Sequence, residues 1–174
     1  YHGLFSRAEG MDRDSAGYID VKVTARIKQL AKFTAQLQVG GETLNTSGTF
    51  DLGGAGTNSS PLSFRARAET LDLSLQLPFD GSETMVGTVS NEVAGWSSAI
   101  LANREVYNVL KNPATQYQGK YTLVLPGDGE KVGDGYAMAS VSKAGSVSLL
   151  GALGDGTAIR SSAGLGQGGV FAFY

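Results

Sequence analysis

Strict alternation of apolar and polar residues is the feature that most constrains the fold of this chain. In residues 70–77 every second residue is leucine, from Leu71 to Leu77. Residues 33–39 repeat the pattern and end at Gly40-Gly41, a dipeptide typical of tight hairpin turns. A period of two places alternate side chains on opposite faces of a β-strand. The pattern therefore predicts antiparallel strands that each have one apolar face.

Further segments of this kind recur about every 8–12 residues, with turn residues between them. Glycine supplies many of these turns and accounts for 25 of the 174 residues. The spacing predicts an all-β, antiparallel meander that closes into a barrel or a barrel-like sandwich, and we favour the barrel. The predicted strands are residues 18–24, 33–39, 43–52, 62–68, 70–77, 84–90, 96–102, 120–125, 136–142, 146–153, 157–163 and 170–174.

Three segments are harder to assign. Residues 25–32 have helical spacing, but their place between two strands favours an extended or bulged hairpin end. Residues 103–112 fit either a helical turn or a strand with Val106 and Val109 inward. Residues 53–61 are rich in glycine and serine and are predicted to be a loop.

The sequence also contains an internal repeat. Residues 1–5 correspond to 121–125, and Gly17-Tyr18 with its strand corresponds to Gly135-Tyr136 with its strand. Farther along, Phe33 corresponds to Val147, Leu44 to Ile159 and Phe50 to Leu165.

A single meander cannot bury its apolar face alone. We therefore expect one all-β domain over residues 1–174, in which the two related halves close on each other with pseudo-two-fold symmetry. The halves are residues 1–112 and 119–174, joined by a connector at 113–118. Because the apolar segment 170–174 is unsuited to a free tail, we expect it to be a paired and buried last strand.

Composition excludes several kinds of chemistry. The chain has no cysteine and one histidine, which excludes disulfides, thiolate chemistry and multi-histidine metal sites. The net charge of -2, with acids and bases mixed along the chain, argues against nucleic acid as a partner. No apolar run reaches the roughly 18–20 residues that span a bilayer, and residues 1–5 do not resemble a signal peptide. We expect no membrane insertion.

The loop at residues 126–135 is the best candidate metal site. Asp128, Glu130 and Asp134 lie among glycines, and calcium takes oxygen ligands on such loops. The spacing does not match an EF-hand, however, and Lys131 lies among the acids. We therefore favour an ordinary solvated turn and expect no cofactor.

The candidate ligand-binding residues are aromatic. Trp96 is the only tryptophan, and an exposed tryptophan with nearby tyrosines is a common platform for sugar rings. Tyr107 and Tyr117 are the tyrosines that we group with it. Since Trp96 begins an apolar strand, packing in the core or at a barrel end is the alternative role.

A catalytic site is not expected. Glycoside hydrolysis needs two carboxyl groups about 5–10 Å apart in a cleft. The pairs Glu69 with Asp72 and Asp80 with Glu83 lie close in sequence, but at strand ends or turns, where acids usually serve solubility. We therefore expect no enzyme.

Three stretches carry a resemblance to a known kind of protein. They are residues 87–90 followed by Trp96, residues 101–108, and residues 119–128 together with 133–136. They resemble a β-rich repeat module of very large surface proteins from Verrucomicrobia, Planctomycetes and related bacteria. The resemblance implies a secreted or cell-surface location and neighbouring domains of a larger protein as partners.

The function expected from the sequence is a non-catalytic structural or adhesive module. A carbohydrate-binding module that uses surface aromatics is the first alternative, with glycans as partners. A barrel that holds a small apolar ligand in its lumen is the second.

Overall fold

The chain forms two compact units, Tyr1–Arg104 with Tyr174, and Glu105–Phe173. A computed structural model describes residues 1–65, 68–127 and 133–174. The boundary between the units precedes the predicted connector at 113–118. Within the described residues, no helix has the length and apolar character needed to cross a bilayer.

The first unit is an antiparallel eight-stranded barrel, so the all-β barrel predicted from the alternation is confirmed. Strand order around the sheet is β5-β4-β3-β2-β1-β9-β8-β7, and pairing of β5 with β7 closes it. The short strand β6 adds a further pairing to β7. The strands are β1 (His2–Ser6), β2 (Gly17–Thr24), β3 (Lys32–Val39), β4 (Glu42–Phe50), β5 (Ala55–Asn58), β6 (Leu62–Ser63), β7 (Thr70–Gln76), β8 (Thr84–Asn91) and β9 (Trp96–Asn103).

Inward-facing side chains fill the barrel. The alternation of β7 buries Leu71, Leu73 and Leu75 almost completely, while the polar residues between them stay exposed. Phe33 and Phe50 meet in the same core, with ring centroids 5.1 Å apart. An eight-stranded barrel has an interior just wide enough for side chains to fill, as they do here.

The second unit is a four-stranded antiparallel meander. It consists of β10 (Gly119–Leu125), β11 (Gly135–Val141), β12 (Ser146–Ala152) and β13 (Ala158–Gly164), in that order, so β10 and β13 are its edges. A short 3-10 turn at Gln167–Gly169 follows. Alternate residues of β11 and β12, including Ala137, Ala139, Val147 and Leu149, are buried.

The two meanders pair in the same register. Gly3 lies opposite Ile19 in the barrel, and the repeat-equivalent Leu123 lies opposite Ala137. The two later hairpins agree as well: Ile19, Leu37 and Leu44 are paired in a row, and so are their equivalents Ala137, Gly151 and Ile159. The repeat seen in the sequence is therefore a four-stranded unit with a fixed register.

The expectation that one meander closes on the other is wrong. The barrel closes through β5, which lies in residues 53–61, the segment predicted to be a loop. This strand is four residues long and contains one glycine and two polar residues, so it carries almost no alternation signal. The second meander pairs only within itself among the described strands.

The structure also tests three local assignments made from the sequence. Residues 25–31 form the exposed end of the β2–β3 hairpin, as favoured. Val109 is half exposed in a turn that an Asn108–Asn112 bridge closes, so its inward placement is wrong. The predicted last strand at 170–174 is wrong too: these residues follow the 3-10 turn without strand structure, and Val170 and Tyr174 are half exposed.

Candidate functional site

A cluster of aromatic residues in the second unit is the most distinctive site of the described chain. Tyr107 and Tyr117 meet edge to face, with ring centroids 5.8 Å apart and an interplanar angle of 71°. Both rings are half buried. Edge-to-face packing is a favoured aromatic geometry. Two of the three aromatic residues predicted to bind a ligand thus lie together.

Turns hold these two rings in place. The backbone N–H of Tyr117 donates to the carbonyl of Ala114 at 3.0 Å, and Ala114 donates in turn to Lys143 at 2.9 Å. Gly169 lies under the Tyr117 ring, where an added Cβ would come within 2.7 Å of a ring carbon. Its φ of 82° also favours glycine. The Tyr117 ring therefore packs against backbone that carries no side chain, and both the ring and Gly169 border a cavity.

The cavity is apolar and has a volume of about 210 Å³. Pockets for drug-sized ligands run from about 300 to 1,000 Å³, so this one fits a single ring or one apolar side chain. It lies on the inward side of the sheet, and the residues that shape it are Tyr117, Tyr121, Leu123, Val141, Leu165 and Phe171.

Polar groups at this site are few. The hydroxyl of Tyr121 donates to the backbone carbonyl of Tyr117 at 2.7 Å, and this hydrogen bond holds the Tyr121 ring at the mouth. Burial raises the pKa of Tyr107, and the neighbouring Tyr117 hydroxyl raises it further. The Tyr107 phenol is therefore neutral at physiological pH and can donate or accept a hydrogen bond.

Trp96 lies in the other unit. It begins β9, pairs with Asn91, and packs half buried against the barrel core. The barrel has its own surface depression of about 360 Å³, which Leu30, Thr49 and Asp51 border. The lumen beneath is occupied by side chains such as Phe33 and Phe50.

The predicted metal loop is only partly described. Asp128 and Glu130 lie outside the described residues. Asp134 is exposed, and its carboxylate accepts a hydrogen bond from the backbone N–H of Gly127 at 3.1 Å. Across residues 1–65, 68–127 and 133–174, no group of three acidic or histidine side chains is placed to hold an ion.

Three of the four carboxylates considered for catalysis have structural partners. Glu69 accepts a hydrogen bond from the buried Asn91 at 2.8 Å, and Glu83 forms an ion pair with Arg104 at 2.9 Å. The N–H of Ser82 donates to Asp80 at 2.9 Å and lowers the pKa of that carboxyl group. These contacts fix turns and strand ends.

Sequence reasoning missed part of the site. Tyr121 was not among the residues predicted to bind a ligand, and Phe171 was predicted to lie in a last strand. The inward position of Tyr121 on β10 follows from the alternation of that strand, which was the available signal. The position of Phe171 depends on the 3-10 turn before it and has no comparable signal.

A scan against protein-family models and searches of curated proteins and of solved structures found no match.

Proposed function

We propose that the chain is a non-catalytic structural or adhesive module of a bacterial surface or secreted protein. The observation that supports this function best is the filled barrel. Its largest side chains, including Phe5, Phe33, Phe50 and Met85, are almost fully buried, so they occupy the space that a lumen ligand would need. The bacterial surface location rests on the resemblance to repeat modules of large surface proteins.

A ligand screen separates this function from a barrel that carries an apolar ligand. Trp96 is the only tryptophan and packs on the barrel core, so its fluorescence follows barrel unfolding. A ligand at about 100 times its dissociation constant adds about 2.7 kcal/mol and raises the unfolding midpoint by several degrees. We expect no such rise with a panel of fatty acids and retinoids. A rise that follows ligand concentration would overturn the proposal.

The location has a separate test. Antibodies against the chain are applied to intact cells of the source organism and to their culture medium. We expect binding to intact cells that is lost after mild protease treatment, or antigen in the medium. Antigen that protease reaches only after lysis would contradict a surface or secreted location.

Glycan binding is the second candidate, and the paired rings of Tyr107 and Tyr117 beside an open apolar cavity are the observation that favours it. Sugar rings stack on aromatic faces, and tyrosine hydroxyls supply hydrogen bonds. Tyr121 offers the most accessible ring at the cavity, at 45% exposure.

A matched pair of tyrosine variants tests the glycan site. Tyr121→Ala removes the ring at the cavity mouth, whereas Tyr136→Ala removes an exposed ring that points to the opposite face of the same sheet. If glycans bind here, titration calorimetry against polysaccharide fragments shows at least about fivefold weaker binding for Tyr121→Ala only, since one stacked ring contributes about 1 kcal/mol or more. Equal losses in both variants, or no binding to the wild-type chain, would exclude this site.

A further inference from the structure

The outer side of β10 presents the backbone groups of three residues. The N–H of Ser142 donates to the carbonyl of Ser146 at 2.9 Å, so the even-numbered residues of β11 direct their backbone groups toward β12. The odd-numbered residues of β11 therefore face β10, where they pair with odd-numbered residues. As a result, the N–H and C=O groups of Lys120, Thr122 and Val124 point to the outer side of β10, and no described strand pairs with them.

This edge has few of the features that normally prevent strand addition. Strand β10 is seven residues long, contains no proline, and has one charged residue, Lys120. The Lys120 side chain is exposed on the outward face near the start of the strand, so the inward side of the edge carries no charge. Long edges with neither proline nor inward charges are templates for pairing with another chain.

The apolar cavity of about 210 Å³ lies beside the same edge. Its floor consists of the buried residues Ala139, Val141 and Leu165. Tyr121 and Leu123 on β10 border it, and Tyr121 remains 45% exposed. The rest of the inward face is covered by residues of the same unit. Space for one apolar side chain therefore lies next to the backbone groups that a further strand would use.

The barrel shows how a strand adds to this meander. Strand β1 is the repeat equivalent of β10, and β9 pairs with it in the antiparallel direction. The side chain of Ile100 on β9 lies opposite Phe5, and both are buried on the inward face. The repeat equivalent of Phe5 is Leu125, which is partly exposed. A strand beside β10 would therefore place alternate apolar side chains on the inward face, as β9 does in the barrel.

We propose that β10 binds an extended peptide segment of a partner protein as an additional antiparallel strand, with one large apolar side chain of the peptide in the cavity. Main-chain hydrogen bonds to Lys120, Thr122 and Val124 supply affinity, and the cavity selects the anchor side chain. The cavity volume admits one ring or one branched chain, as in phenylalanine or leucine. An acidic residue opposite Lys120 adds a favourable cross-strand charge pair. This site goes beyond the proposed function, because it concerns only β10 and the cavity.

Two peptides with identical side chains test the proposal. In both, threonine alternates with leucine over about eight residues, with phenylalanine at one apolar position and glutamate at the polar position opposite Lys120. The first peptide is N-methylated at its apolar residues, whose N–H groups point away from β10. The second has the same number of N-methyl groups at its polar residues, whose N–H groups face β10.

Fluorescence anisotropy of the labelled peptides measures their binding to the 174-residue chain. We expect a dissociation constant of about 10–100 μM for the first peptide and at least about tenfold weaker binding for the second, which lacks the donors for β10. Equal binding of the two peptides, or no binding of the first at about 1 mM, would overturn the proposal.

Matched proline variants locate the edge that binds. Thr122→Pro removes an N–H group on the outer side of β10, so no hydrogen bond to β11 is lost. Ser162→Pro makes the same change on the outer side of β13. We expect Thr122→Pro to weaken binding of the first peptide at least about tenfold and Ser162→Pro to leave it unchanged. Equal effects of the two variants would show that the peptide does not pair with β10.

The anchor side chain tests the cavity. Replacing the phenylalanine of the first peptide by alanine is expected to weaken binding at least about tenfold, because a large apolar side chain then leaves the cavity. Ala139→Leu fills the cavity from β11 and should remove the preference for phenylalanine, whereas Met138→Leu on the outward face should preserve it. Equal binding of the two peptides to the wild-type chain would overturn the cavity as the anchor site, whether or not the variants fold.

Discussion

The barrel and the second sheet have the same four-stranded meander in the same register, yet only the barrel is closed. The residues that pair within each meander are equivalent position by position, for example Val21 with Ala35 and Ala139 with Leu149. What differs is the chain that follows. After β4, the barrel unit continues into the closing strands β5, β7, β8 and β9, whereas β13 leads into a 3-10 turn. The alternation of apolar and polar residues therefore determines the four-stranded meander, whereas closure of the barrel depends on the additional strands that follow it.

The edges of the two meanders show this difference in single residues. Gly3 and Gly48 lie where β9 and β5 approach the first meander, and a Cβ on either would come within 2.2 Å of a backbone carbonyl oxygen. Their equivalents are Leu123 and Ala163. Close approach by a neighbouring strand excludes a side chain in the barrel, and the open edges of the second sheet do not impose this restriction.

The largest expected effect comes from the barrel core. Phe50 is buried against Phe33, so Phe50→Ala is expected to lower the free energy of unfolding by about 3–5 kcal/mol. Urea denaturation followed by Trp96 fluorescence measures the loss. Leu52→Ala, two residues farther on and 91% exposed, is the matched control and should change stability by less than about 0.5 kcal/mol.

The same truncation in the second sheet sharpens the comparison. Leu165 is the repeat equivalent of Phe50 but borders the open cavity. Leu165→Ala is expected to cost about 2 kcal/mol, the lower end for a buried leucine, because Leu165 already lacks packing partners on the side of the cavity. Hydrogen exchange in β12 and β13 measures this loss. A cost as large as that of Phe50→Ala would show that the cavity is as tightly packed as the barrel.

Substitution of the edge residue of each meander by its repeat equivalent is expected to have an intermediate effect on stability. In Gly48→Ala the new methyl group meets the carbonyl oxygen of Thr57 and the ring of Phe33, and we expect a loss of about 1–3 kcal/mol. The reciprocal change, Ala163→Gly, adds only backbone freedom and is expected to cost about 0.5–1 kcal/mol. Denaturant midpoints of the two variants measure the asymmetry. Equal costs would mean that strand approach does not explain the glycine.

A smaller effect is expected on the outward faces. In the barrel, His2 and Tyr18 share a hydrogen bond of 2.6 Å beside Asp20. The second sheet places Met138 at the position of Asp20 and Leu150 at that of Gln36, and both are more than half exposed. The outward face is thus polar in one meander and apolar in the other.

Polar residues from the barrel can be transferred to test this face. The double variant Met138→Asp with Leu150→Gln is expected to keep stability within about 0.5 kcal/mol, since exposed positions contribute little. Binding of a fluorescent apolar dye should fall, because the exposed apolar patch is removed. A stability loss above about 2 kcal/mol would show that this face is covered by other parts of the structure.

Much of this architecture was predictable because it depends on local periodicity. Alternation in residues 70–77 and 33–39 identified β7 and β3, and the repeat identified equivalent strands across the chain. The closing strand β5 was not predictable. It is only four residues long, and its sequence has no alternation of apolar and polar residues. The aromatic site was half predictable. Tyr107 and Tyr117 were named, but their contact depends on two turns that bring distant residues together.

The smallest expected effect concerns the turn between β12 and β13. The backbone N–H of Thr157 donates to the Asp155 carboxylate at 2.8 Å, and this hydrogen bond lowers the pKa of Asp155 from its ordinary value of 3.8. Because the folded-state pKa is the lower one, the stabilisation is complete above the ordinary value and is lost as pH falls through the folded value. The equivalent hairpin turn of the barrel, Gly40-Gly41, has no carboxylate and should lack this dependence.

Asp155→Asn removes the charge while keeping an oxygen that can accept the same hydrogen bond. We expect it to lower the exchange protection of β12 and β13 slightly at pH 7 and to leave it unchanged at a pH below the folded-state pKa, where the wild-type carboxyl group is protonated. Protection of β3 and β4 should be the same in both proteins at each pH. An equal difference at both pH values would mean that the charge of Asp155 has no part in this turn, and the two hairpins would then differ only in backbone conformation.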